Sequence, residues 1–120
     1  MKVVILGASP TPSRYAHKAL EMLKEYNHEV ALVNPLYPEI EGKTCYPDLK
    51  GFKKQEVDTV TLYVTPKHLK PHMKDLIDLS PRRVISNPGT YDPELMKELQ
   101  DKGIQVEEAC TLVMLRTGQF

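Results

Sequence analysis

The residues best suited to chemistry follow the run KVVIL (Lys2 to Leu6): Gly7, Ala8, Ser9, Pro10, Thr11, Pro12, Ser13 and Arg14, after which the chain turns amphipathic. A glycine between strand and helix lets the backbone turn tightly beside a ligand, and the free N–H groups and partial positive charge of a helix start attract an anion. The hydroxyls of Ser9, Thr11 and Ser13 suit phosphate oxygens, with one of them expected as the helix N-cap. Arg14 is expected in the first helical turn, where a guanidinium can clasp the same phosphate; the alternative is a solvated surface arginine. The dinucleotide fingerprint G-x-G-x-x-G is not met, because Ser9 and Pro12 stand where its second and third glycines belong. Phosphate binding is therefore expected, and NAD binding is disfavoured.

Other candidates gather after later apolar runs. Val33-Asn34-Pro35 ends the second run, where NAD enzymes of the doubly wound fold place an acidic residue for the ribose. Asn34 either contacts a ligand or holds its own turn. Pro10 and Pro12, Pro35 and Pro38, Pro66, and Pro88 follow four successive runs, four rigid loops on the carboxyl ends of strands, which is where open α/β sheets bind ligands. His68 and His72 are four residues apart, but Pro71 between them and the lack of an H-E-x-x-H pattern favour surface histidines over a metal pair. Cys45 and Cys110 are far apart without ligand spacing and are read as free thiols, so no metal site is expected. No nucleophile–base pair, nucleophile elbow, P-loop or paired carboxylates stand out, and no catalytic residue is assigned.

The elements that must carry these loops are legible. KVVIL, EVALV (Glu29 to Val33), TVTLYV (Thr59 to Val64), RVIS (Arg83 to Ser86) and a weaker IQVEE (Ile104 to Glu108) are strand-like. They alternate with helical patterns over Ser13 to Tyr26, Pro71 to Leu79 and the stretch from Asp92-Pro93 to Gly103. Near-continuous apolar strands between helices predict a doubly wound, five-stranded parallel sheet in a Rossmann-like three-layer α/β/α domain, with the first strand central and the binding edge above Gly7. Leu36 to Val57 is irregular, with a short crossover helix expected at about Tyr46 to Phe52. The apolar C-terminal stretch CTLVMLRTGQF is read as a packing segment, a homodimer contact or a cleft-lining tail being the sharper option.

At 120 residues the chain is expected to be one domain, residues 1–120, with a single site. Sixteen basic residues balance sixteen acidic ones, so no global field draws it to nucleic acid. No apolar run approaches membrane-spanning length and MKVVIL is too short for a secretory core, so a cytoplasmic, membrane-free protein is expected.

Taken together, GASPTPSRYAHKAL, VNP with Gly42 and Tyr46 after it, TLYVTP, SNPGTYDPEL and EEACTLVMLRTGQF resemble the small stand-alone CoA-binding domain proteins. These are similar to the CoA-binding domain of the succinyl-CoA synthetase α subunit, and the resemblance runs through nearly the whole chain in order. It implies that the loop Gly7 to Arg14 holds CoA phosphates and that Asn34-Pro35 borders the nucleotide. The loops Thr65-Pro66 and Asn87-Pro88-Gly89 would line the rest of the cleft. In the synthetases a separate domain carries the phosphorylated histidine, and no counterpart is expected here. The leading expectation is thus a non-catalytic CoA- or acyl-CoA-binding protein. A nucleotide- or flavin-dependent oxidoreductase with FMN phosphate on the Ser9 to Ser13 loop is the alternative, and a partner-binding module with a vestigial cleft is a third.

Overall fold

Strand β1 (Lys2–Leu6) is buried on both faces, Val3, Val4 and Ile5 at 0% exposure and Leu6 at 1%, which is the environment a near-continuous apolar run demands. In the computed structural model, which describes residues 1–120, it is the central strand of a seven-stranded sheet. The chain continues through α1 (Tyr15–Glu25), β2 (Glu29–Val33), β3 (Glu39–Ile40), β4 (Lys43–Tyr46) and β5 (Thr59–Leu62). It then runs through α2 (Pro66–Leu69), a 3-10 turn (Lys70–His72), α3 (Met73–Leu79), β6 (Arg83–Ser86), α4 (Pro93–Asp101), β7 (Gln105–Glu108) and α5 (Thr111–Arg116). The strand order is β3-β4-β2-β1-β5-β6-β7, and every neighbouring pair is parallel except β3 with β4.

Alternate residues of β1 feed two separate cores. Val3 and Ile5 pack with Leu20 and Leu23 of α1 and Leu112 and Leu115 of α5; Val4 and Leu6 pack with Leu69, Met73 and Leu76 of α2–α3 and with Met96 and Leu99 of α4. Each such side chain contributes roughly 1.5–3 kcal/mol on burial. The C-terminal stretch is packing material: Leu112, Met114 and Leu115 are buried, while Val113 faces solvent. The domain is thus the expected Rossmann-like α/β/α sandwich with β1 in the middle.

The irregular stretch departs from expectation. Instead of five strands there are seven, because Leu36 to Tyr46 forms a hairpin, β3–β4, that docks on β2. Its turn residues Glu41 and Gly42 both have positive φ, 52° and 79°, as a two-residue turn of the kind that matches strand twist requires. The crossover helix at Tyr46 to Phe52 is not formed. Pro47 follows β4 directly, and the Asp48 carboxylate accepts from Lys50 N at 2.9 Å, giving the backbone a local turn in place of a helix. Leu49 is buried regardless, and the Phe52 ring meets Tyr46 edge-on at 5.1 Å. The helix read as Pro71 to Leu79 begins earlier, at Pro66, with a 3-10 step at Lys70–His72. Asp92 caps α4 as expected, accepting from Leu95 N at 3.0 Å.

Candidate functional site at the carboxyl edge of the sheet

The parallel registers Leu6 with Val33, Leu6 with Leu62, and Leu62 with Ser86 end four strands at one level, so the loops after β1, β2, β5 and β6 emerge side by side. They are also tied to one another. Gly7 has φ +99°, and a Cβ there would lie 2.7 Å from the Tyr63 carbonyl oxygen, so the backbone of the first loop passes over the end of β5 at a distance only glycine permits. Asn34 Nδ2 donates to the Ala8 carbonyl at 2.8 Å, while its Oδ1 accepts from Leu36 N at 2.9 Å. Asn34 therefore both holds its own turn and clips the second loop to the first.

Asn87 plays the same part on the other side, and more deeply. Its Nδ2 donates to Thr61 Oγ1 at 2.6 Å and to the Leu62 carbonyl at 2.8 Å, and its Oδ1 accepts from Thr111 N at 2.9 Å. At 2% exposure, with its amide engaged on both sides, Asn87 forms the floor beneath the loop, while Pro88 and Gly89 stay exposed. Thr90 closes the turn through its hydroxyl to the Asn87 carbonyl at 2.7 Å and to Ser86 Oγ at 2.8 Å. Thr65 is the N-cap of α2 and Pro66 its first residue; Thr65 Oγ1 bonds His68 Nδ1 at 2.9 Å, which leaves His68 on the surface.

The first loop differs from its expected detail in an informative way. Gly7 N and Ala8 N both donate to the Val33 carbonyl, at 2.8 and 3.2 Å, and so are not open to a ligand. Thr11 N is satisfied by Ser9 Oγ at 3.1 Å. The N–H groups of Ser9, Ser13, Tyr15 and Ala16 have no acceptor within the chain. None of the three hydroxyls caps α1; the N-cap is Arg14 itself, one position before the helix, and its side chain makes no capping bond. No acidic residue stands in the first turn. The start of α1 therefore keeps its orphan donors and its positive dipole end, with an exposed guanidinium beside them.

One cluster escaped the sequence reading. Thr61 Oγ1 and Thr111 Oγ1 bond at 2.7 Å, and the Tyr63 hydroxyl lies close by, buried and without a hydrogen-bond partner. Burial pushes its pKa up to about 12, so Tyr63 is neutral. No motif announces a threonine pair fifty residues apart; only the sheet brings α5 over β5. A concavity of about 340 Å³ lies at the opposite, amino edge, but its charges are already matched, Arg82 Nε to Asp58 at 2.9 Å and Lys2 to Glu56. It offers no comparable set of open donors.

The sheet, with helices on both faces and four loops on one edge, places the chain in the Rossmann-like class of α/β domains. Residues 1–116 match the family model described as CoA binding domain, and the chain belongs to that family. It is 29% identical over 118 residues to the ADP-forming acetate–CoA ligase of Methanocaldococcus jannaschii, covering 98% of this chain and 13% of the ligase. The chain thus spans only a small part of the curated relatives it matches. Among solved structures, a crystal structure of an uncharacterized protein aligns with a TM-score of 0.93 at 42% identity, covering 99% of this chain and 97% of that one. A protein from Thermus thermophilus aligns with a TM-score of 0.87 at 31% identity, covering 99% and 90%. The dinucleotide-forming acetyl-coenzyme A synthetase 1 of Ca. Korarchaeum cryptofilum, with phosphate and ADP, shares the fold at 22% identity and a TM-score of 0.74, over 90% of this chain and 25% of that one.

Proposed function

We propose that the chain binds CoA or an acyl-CoA at the carboxyl edge of its sheet and carries out no chemistry of its own. The observation that carries this reading is the uncapped start of α1: open N–H groups at Ser13, Tyr15 and Ala16, no acidic neighbour, and Arg14 at the N-cap. A phosphate there would supply the missing cap, meet the helix dipole and pair with the guanidinium. Ser9, Thr11 and Ser13 would add hydroxyl contacts around Gly7, Ala8 and Pro10. Pro35, Thr65, Pro66, Pro88 and Gly89 would shape the surrounding walls, with Asn34 and Asn87 holding the loops in place. The family membership supports CoA as the ligand class. Cys45 and Cys110 are both free, which suits a reducing cytoplasmic setting.

Calorimetric titration of the protein with CoA, acetyl-CoA, NAD and FMN tests the reading. CoA or its acyl ester is expected to bind more tightly than NAD, since the ribose-reading carboxylate after β2 is replaced by Asn34, whose amide is already engaged. NAD or FMN binding tenfold tighter than CoA, about 1.4 kcal/mol in its favour, would reverse the assignment.

A further inference from the structure

We propose that His17, Glu21 and Glu41 form a binding site for a divalent first-row transition ion, with Zn²⁺ as its representative, where α1 meets the β3–β4 hairpin. This inference does not depend on CoA binding. His17 and Glu21 are one helical turn apart on α1, and Glu41 is brought to them by the hairpin turn, so that one ligand atom from each lies within 4.8 Å of the others. The two measured separations are 3.0 Å from His17 Nε2 to Glu41 Oε1 and 4.0 Å to Glu21 Oε1. They bracket the separation of about 3.4 Å between two ligand atoms on a tetrahedral Zn²⁺ with bonds of about 2.1 Å.

A second observation points the same way. His17 is only 7% exposed, and its Nε2 makes no hydrogen bond although a Glu41 carboxylate oxygen lies 3.0 Å away. A buried imidazole nitrogen left without a hydrogen bond, with two carboxylate oxygens within 4.0 Å of it, is well placed as a metal ligand. Lys24 forms no ion pair with either glutamate. The glutamate side chains are 48% and 43% exposed, so both can adjust by rotamer, and water can reach the remaining coordination position. An imidazole with two carboxylates suits Zn²⁺ and its first-row neighbours better than Ca²⁺ or Mg²⁺, which take all-oxygen shells.

Zn²⁺ is titrated by calorimetry into the chelator-stripped full chain, alongside its Glu41→Gln and His68→Gln variants, with Mg²⁺ as the hard-ion control. The expected result is one Zn²⁺ per chain, no heat with Mg²⁺, at least about a tenfold loss of affinity in Glu41→Gln, and no loss in His68→Gln. Glu41 is an exposed turn residue and its amide is isosteric, so a folded variant is expected, checked by circular dichroism; His17→Gln then serves as a second variant. Zn²⁺ binding that is absent, unchanged in Glu41→Gln, or abolished by His68→Gln overturns the proposal.

Discussion

Arg14 is the residue on which the proposed ligand binding turns. It occupies an N-cap position without capping, exposed beside open amides, and a cation at that end of a helix is unfavourable unless an anion joins it. Arg14→Ala is expected to weaken CoA binding by roughly 1.5–3 kcal/mol and to flatten its salt dependence. Its thermal stability should shift by no more than about 0.5 kcal/mol. Equal CoA affinity in parent and variant at low and moderate salt would remove Arg14 from the site. Gly7 has the opposite profile, since its importance is architectural. Gly7→Ala must accept a left-handed backbone, at roughly 1–2 kcal/mol, together with a Cβ only 2.7 Å from a carbonyl oxygen that cannot swing aside. A loss of at least about 2 kcal/mol in urea unfolding is expected, and an unchanged midpoint would show that the loop can relax.

Among the elements, α5 is the one that Asn87 ties to the sheet, in addition to its buried apolar face. Asn87 joins the end of β5 to the first residue of α5 through three hydrogen bonds, all inside the protein. Asn87→Ala orphans Thr111 N and loosens Thr61, at a cost of roughly 2–4 kcal/mol. Amide exchange is the discriminating measurement: protection should fall first in α5 and in the loop Pro88-Gly89, ahead of β1. Uniform loss across the sheet would contradict a local pin. The β3–β4 hairpin was the element least visible in the sequence. Its strands, Glu-Ile and Lys-Thr-Cys-Tyr, are short and polar, with only Ile40 and Cys45 buried, so no apolar run marks them. Glu41-Gly42 is also a weaker hairpin signal than Asn-Gly or Asp-Gly.

For the molecule as a whole, stability should fall on mild acidification. Burial lowers the pKa of both His28 and His72 below the ordinary 6.5. A depressed histidine pKa means that the folded state prefers the neutral ring. Its contribution is complete above pH 6.5 and is lost as pH falls from there through the folded-state value, because the unfolded chain takes up the proton first. His28 sits against Phe120, ring centroids 5.1 Å apart, with Arg83 over the same Phe120 ring at 4.6 Å, so a charged imidazole would also face a guanidinium. The urea midpoint should therefore be lower at pH 5.5 than at pH 7.5, and less so in His28→Gln. Asp58, held low by Arg82, adds a further loss at more acid pH. Equal midpoints at the two pH values would refute the histidine account.

Local apolar runs were enough to read the β–α alternation, the central first strand and the loops that share one edge. A strand buried on both faces must be apolar throughout, so that fact is written in consecutive residues, whereas the open start of α1 is not, since Ser9, Thr11 and Ser13 are all capping types and none of them caps it. The whole-chain resemblance to CoA-binding domains belongs to the same level, since the shared motifs occur in order along the chain. Tertiary structure alone decided how the polar side chains are used. Asn34 and Asn87 look alike in sequence, each before a proline, yet one clips two surface loops and the other is sealed under a helix. His17 reads as an ordinary helix residue until the hairpin sets Glu41 3.0 Å from its ring. Hydrogen bonding and ligation act over about 3 Å, and which distant residues come that close is set by strand order and crossover, not by spacing along the chain.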